Sequence, residues 1–127
     1  MGAFYTDCVV VNPGNRANAV RVGPLLVDTG SECSWIDAKL LDRVAIQREG
    51  KTLDFIMANG QQLRRQIGYG IVRVNEVETI DELVFAEPGD LQLLGARTLE
   101  GLNMRVDPLA KKLVAGGPIP AAGGRVP

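Results

Sequence analysis

The stretch Leu25-Leu26-Val27-Asp28-Thr29-Gly30-Ser31-Glu32-Cys33-Ser34-Trp35-Ile36 restricts the possible folds of this chain more than any other. Leu25, Leu26 and Val27 favour a buried strand, and apolar sequence resumes at Trp35 and Ile36. Between them stand a short carboxylate, a small hydroxyl residue and a glycine. That order predicts a tight loop joining two core strands and carrying Asp28. Taken alone, the triplet reads first as a simple turn in which Asp28 accepts backbone hydrogen bonds and Gly30 supplies a permissive dihedral.

Leu26 to Ile36 resembles the active-site segment of retropepsin-like aspartic proteases, where a hydrophobic strand runs into Asp-Thr/Ser-Gly-Ala/Ser and an apolar strand follows. Leu93-Leu94-Gly95 resembles the same family's hydrophobic-hydrophobic-Gly element before its short helix. About 65 residues separate the two, which suits one retropepsin-like unit. The resemblance covers residues 5–115. It implies an all-β, retropepsin-like acid protease fold: a small, closed, barrel-like domain with one short helix after Leu-Leu-Gly.

Length supports a single unit. A chain of 127 residues buries about two-thirds of its unfolded surface, so a core forms without a metal or a disulfide. It is too short for two copies of the Asp28 segment with their sheets, and no long internal repeat is present. The expected division is a domain over 1–115 and a flexible Gly/Pro-rich tail over 116–127.

Charge and residue usage then exclude several function classes. With 14 Lys and Arg against 15 Asp and Glu, the net charge is −1, which gives little electrostatic drive toward nucleic acid or an anionic membrane. Arg64-Arg65 is a local basic pair, read as a solvated face. No apolar run approaches the roughly 18 residues of a membrane span, and no signal-like segment opens the chain; the cytoplasm is the expected compartment. Histidine is absent, which removes the common general base of Ser and Cys hydrolases. Cys8 and Cys33 give no zinc spacing and no disulfide framework, and they read as small buried residues. Neither metal nor cofactor is expected.

Along the chain, Tyr5 to Val11 has strand composition and stops at Asn12-Pro13-Gly14-Asn15. Ala19 to Val22 begins a returning strand, interrupted at Gly23-Pro24. Asp37 is a cap for a short helix over Ala38 to Val44, with Leu40, Leu41 and Val44 on its apolar side. Residues 47–52 read as a loop. Phe55-Ile56-Met57 runs into Ala58-Asn59-Gly60, where Asn-Gly favours a hairpin turn; this segment resembles the family's flap but reads equally as a surface hairpin. Strands are expected over Ile67 to Val74 and Thr79 to Ala86, with turns at Asn75-Glu76 and Pro88-Gly89-Asp90. Leu91 to Leu94 resumes apolar character. Ala96 to Leu102 forms helical turns, and Met104 to Val106 with Lys112 to Val114 frames a terminal hairpin about Asp107-Pro108.

The resemblance implies an aspartic endopeptidase acting on extended polypeptides. Asp28 corresponds to the catalytic carboxylate and Thr29 to the residue whose hydroxyl locks two active loops together. Gly30 lets the loop approach a peptide, and Ser31 supports Asp28. Ala58, Asn59 and Gly60 would cover the substrate, while Leu93, Leu94 and Gly95 pack beneath the loop. Trp35, Ile36, Phe55, Ile56 and Ile71 serve as core or pocket residues. One Asp-Thr-Gly per chain implies a homodimer with a two-fold axis between two copies of Asp28. The alternatives are a catalytically silent dimer of the same fold that binds peptides, and a small β-rich module that recruits partners through its terminal sheet or tail.

Overall fold

The computed structural model describes residues 3–123. Among them lie nine strands and two short helices: β1 (Tyr5–Asn12), β2 (Asn15–Val27), β3 (Ser34–Asp37), α1 (Ala38–Arg43), β4 (Thr52–Ile56), β5 (Gln62–Val74), β6 (Val77–Ala86), β7 (Leu93–Leu94), α2 (Ala96–Gly101), β8 (Met104–Asp107) and β9 (Lys112–Ala115). The protein is therefore mostly β.

Seven strands form one sheet in the order β1-β2-β7-β3-β6-β5-β4, and β8 with β9 forms a separate ribbon. Strand β1 is bonded along both edges, to β2 and, through Val9, Val10 and Val11, to Arg73, Val72 and Ile71 of β5. The pairings thus return to the strand from which they begin. Parallel contacts occur where β2 meets β7 (Leu26 with Leu93, Val27 with Leu94) and where β3 meets β6.

Two apolar clusters fill the interior. The larger gathers Val10, Val22, Leu25, Ile36, Leu41, Val72, Leu83, Phe85, Leu94 and Leu99 among others, and Ile71 is also buried. The smaller holds Cys33, Trp35, Ile67, Val84, Ala86 and Leu93, with Leu26, Leu53, Phe55 and Leu63 partly buried against it. This second cluster is built from β3, β5, β6 and β7 together with Cys33 at the end of the Asp28 loop.

Local chemistry explains the element ends. Asn12 turns the chain after β1: its Oδ1 accepts from Gly14 N–H (2.7 Å) and Asn15 N–H (3.2 Å). Its Nδ2 donates to the carbonyls of Val44 (2.8 Å) and Ala45 (3.1 Å), which ties the hairpin to the end of α1. Asp37 caps α1 through Lys39 N–H (2.9 Å), satisfying one of the donors that a helix start leaves free. Leu41 and Val44 are buried below that helix.

One expected break is absent. Gly23-Pro24 lies inside β2, which continues to Val27. Opposite it the register shifts between Thr6 and Cys8, so the irregularity takes up the proline's missing donor without ending the strand. Glycine is needed at 23, since a β-carbon there would stand 2.9 Å from Asp7 Cα.

Beyond Ala115 the described residues 116–123 are exposed and form no strand or helix. Gly116 N–H donates to the Asn103 carbonyl (2.8 Å), and Asn103 Nδ2 donates to that of Gly117 (2.8 Å), so the tail is fastened at its root. Of the expected tail, 124–127 lie outside the described residues, as do residues 1–2 of the expected domain.

Candidate active site

Val27 ends β2, Ser34 begins β3, and residues 28–33 form the loop between them. Asp28 is half-buried at its start, Thr29 and Gly30 are exposed, and Ser31 is half-buried. The Asp28 carboxylate is held by its own loop, with Oδ1 accepting from Gly30 N–H at 2.9 Å. Ser31 N–H donates to the Asp28 carbonyl (3.2 Å), and Ser31 Oγ donates to the Cys33 carbonyl (3.0 Å). The side chains of Asp28 and Ser31 thus each satisfy a backbone group that a strand would otherwise have paired.

Leu93-Leu94-Gly95 meets this loop directly. Asp28 N–H donates to the Leu94 carbonyl (3.0 Å), Ala96 N–H to that of Ser31 (2.7 Å) and Arg97 N–H to that of Glu32 (3.0 Å). Gly95 sits where no side chain fits, because a β-carbon there would be 2.4 Å from the Cys33 carbonyl oxygen and 2.9 Å from that of Ser31. Two segments far apart in sequence therefore form one backbone assembly around Asp28.

Below it runs a buried polar relay that sequence reasoning missed. Ser34 and Thr98 are fully buried. Ser34 Oγ lies 2.5 Å from Thr98 Oγ1, which donates to Asp81 Oδ2 at 2.8 Å. Each hydroxyl carries one proton, so Thr98 spends its own on Asp81 and must accept from Ser34. Ser34 in turn accepts from Gly95 N–H (2.9 Å), and Asp81 Oδ1 accepts from Glu82 N–H (2.8 Å). The signal in the sequence was a serine inside the apolar run Cys33 to Ile36, since a buried hydroxyl demands partners.

Charged groups surround the assembly. Arg97 stands 3.5 Å from both Glu32 and Glu82, and Lys51 is 2.7 Å from Glu82, which raises the lysine's proton affinity. Cys33 is buried, and that burial pushes its thiol up while nearby Arg97 partly offsets it. Cys8, on β1, is pushed up to about 12 by burial, with Asp7 adding to the effect. Both cysteines are free.

The β4–β5 hairpin forms at the expected place, with a different turn. Met57 N–H donates to the Gln61 carbonyl (2.8 Å) and Gly60 N–H to that of Met57 (2.8 Å). Gly60 adopts φ +85°. This is a three-residue loop in which glycine alone takes the left-handed conformation, as in a turn followed by a bulge, and not the two-residue Asn-Gly turn. Asn59 Oδ1 accepts from Gln61 N–H (2.9 Å). Ala58, Asn59 and Gly60 are all exposed, and their hydrogen bonds named here run within the turn. Ile56 is exposed on the outer face (77%), whereas Ile36 and Ile71 are core.

The stem of the hairpin, rather than its tip, makes the contacts with the body. Leu53 faces Arg65 and Phe55 faces Leu63 in the register, so these four share the inner face. Phe55 stacks at a tilt on Trp35 with ring centroids 4.8 Å apart. Arg65 corrects the expected solvated basic face: it is 14% exposed and forms a two-pronged pair with Asp90, itself 10% exposed. Nε to Oδ2 is 2.7 Å and Nη2 to Oδ1 is 2.9 Å. Period-two alternation would have found it, because Arg65 lies between Leu63 and Ile67 on one face. Only Arg64 behaves as expected, in an exposed pair with Asp54 (2.7 Å). The guanidinium of Arg65 holds the Asp90 carboxyl below its usual range.

Two grooves lie away from Asp28. One of about 270 Å³ is bounded by Asp37, Lys39, Glu87, Asp90 and Gln92, and another of about 280 Å³ by Arg105, Asp107 and Val114. No cluster of His, Cys, Asp and Glu suited to a metal occurs among the described residues, and none of their helices is long and apolar enough to cross a membrane. No protein-family model matches the chain, and no curated protein matches it.

Proposed function

We propose that this chain is a retropepsin-like aspartic endopeptidase that works as a homodimer. The observation that carries the reading is the meeting of the Asp28 loop with Leu93-Leu94-Gly95. Hydrogen bonds from Asp28, Ala96 and Arg97 hold the loop, and one carboxylate oxygen of Asp28 remains uncommitted within it. The return of the strand pairings to β1 supports the closed, barrel-like element of this reading. Free Cys8 and Cys33 suit a reducing compartment, and the cytoplasm is the setting we propose.

In the proposed mechanism, Asp28 and Asp28 of the partner subunit face each other and hold one proton between them. Repulsion between two close carboxylates raises the proton affinity of one, and the pair titrates as a unit, the known behaviour of aspartic-protease dyads. The ionised carboxyl takes a proton from water, whose oxygen bonds to the amide carbon. The protonated carboxyl gives its proton to the carbonyl oxygen. Collapse of this intermediate breaks the C–N bond as a proton passes to the departing nitrogen, leaving a carboxylic acid and an amine. Thr29 and Ser31 orient the loop, and the hairpin lies along the extended peptide, pairing with its backbone.

Sedimentation equilibrium combined with peptide cleavage tests this reading. A dimer whose turnover disappears in Asp28→Asn is expected. A strictly monomeric, active protein indifferent to that change overturns it, and tight peptide binding without turnover points instead to the silent dimer.

A further inference from the structure

The outer half of the β4–β5 hairpin extends past the pairings of β5 with β6. Strand β4 pairs only with β5, and the residues of β5 that face it, Gln62 to Gln66, precede the point at which Ile67 joins Val84 of β6. Arg65 therefore sits at the root, one residue from Gln66, where the projecting part meets the body. Its partner Asp90 belongs to the turn that leads into β7: Asp90 N–H donates to the Glu87 carbonyl (2.9 Å), and Glu87 N–H donates back to Asp90 Oδ2 (2.8 Å). Two residues on, Gln92 binds the body twice, accepting from Asp37 N–H through its side chain (3.1 Å) and from Leu26 N–H through its carbonyl (3.3 Å). Leu94, at the end of the same run, accepts from Asp28. A continuous covalent and hydrogen-bonded path thus joins the hairpin root to the Asp28 loop.

We propose that the Arg65–Asp90 pair is the clamp that sets the reach of the β4–β5 hairpin over the Asp28 loop, making Arg65 and Asp90 positioning residues for peptide binding; this rests on the endopeptidase reading above. A two-pronged guanidinium–carboxylate contact fixes angle as well as distance, which a single apolar contact such as Phe55 on Trp35 cannot. Both partners are largely withdrawn from water, so the contact is less screened than the neighbouring Arg64–Asp54 pair on the outer face, whose side chains are 70% and 65% exposed.

The test uses the full chain and five proteins: wild type, Arg65→Ala, Asp90→Asn, the exchange R65D/D90R, and Arg64→Ala as control. Amide hydrogen exchange over 53–63 is compared with that at Val9 to Val11, and steady-state cleavage is followed with a fluorogenic peptide carrying apolar residues on both sides of one bond. Each single change at 65 or 90 is expected to speed hairpin exchange about tenfold and raise KM about tenfold with kcat within about twofold, as lost positioning of bound substrate requires. The exchanged pair is expected to recover part of both readouts, since an arginine at 90 restores the ion pair but cannot accept from Glu87 N–H, and Arg64→Ala to leave them unchanged. Unaltered hairpin exchange, an equal rise at Val9 to Val11, no recovery in the exchanged pair, or a fall in kcat at constant KM overturns the clamp. If the wild type cleaves no peptide, the endopeptidase reading fails, and the clamp is decided by hydrogen exchange and its recovery alone.

Discussion

Gly95 approaches Cys33 so closely that a β-carbon on it would stand 2.4 Å from the Cys33 carbonyl oxygen and 2.6 Å from the carbonyl carbon. The obstacle is backbone, which cannot rotate away. Gly95→Ala is expected to destabilise the fold by about 3 kcal/mol, the upper end for overpacking, measured by urea denaturation. Because Asp28 N–H is bonded to Leu94 next door, any peptide cleavage under the proposed endopeptidase reading should fall as well.

On the proposed endopeptidase reading, Asp28→Asn separates chemistry from stability. Asparagine keeps a carbonyl oxygen for Gly30 N–H, the bond that Asp28 Oδ1 makes at 2.9 Å. Thermal unfolding is expected to move by less than about 3 °C, a change of under about 1 kcal/mol, while peptide turnover is lost.

Ser34→Ala leaves Gly95 N–H and Thr98 Oγ1 facing an empty position in a fully buried site. The expected cost is about 2 kcal/mol, the penalty for buried polar groups without partners. Thr98→Val added to it should cost less than the sum of the two single changes, since both remove the same relay; a double-mutant cycle measures the difference.

Acid stability should carry the mark of Asp90. Its folded carboxyl is held below the ordinary value by Arg65, so the unfolded chain protonates first as pH falls. The pair's contribution is present above about pH 4, the unfolded carboxyl's value, and disappears as pH drops through the lower folded one. Asp90→Asn is expected to be less stable at pH 7 and to converge with wild type in strong acid, as followed by denaturant midpoints across pH.

The thiols give an alkaline counterpart. Cys8 is raised to about 12 by burial, so its contribution is intact below the ordinary thiol value and is lost as pH climbs toward the folded one. Native protein at pH 8 should resist thiol-labelling reagents at Cys8 and Cys33 and label at both in denaturant.

How far the sequence reached depended on the range of the interaction. Asp37 as a cap, the strand into Asp28 and the turn after Asn12 are local, written in neighbouring residues, and all were legible. Leu93-Leu94-Gly95 beside the Asp28 loop was an expectation drawn from resemblance alone, since nothing within either segment specifies its partner. The burial of Arg65 and of Ser34 was written in the local pattern, but their partners Asp90, Thr98 and Asp81 were not, because each of those reads as an ordinary polar residue until the sheet brings them together. Gly23-Pro24 misled for a related reason: local breakers end a strand only when no neighbour accommodates the irregularity, and here the register shift beside Asp7 does so.

The double bonding of β1 bears on the order of assembly during synthesis. Val9, Val10 and Val11 precede both partners in the chain, meet β2 across a short turn, and have their second edge covered only once Ile71 to Arg73 have been made. Local hairpins form quickly and distant pairings slowly. A nascent chain halted before residue 71 would thus expose a valine-rich ribbon with one bare side, the form most prone to join a neighbour's, and rapid translation of the middle of the message would protect it.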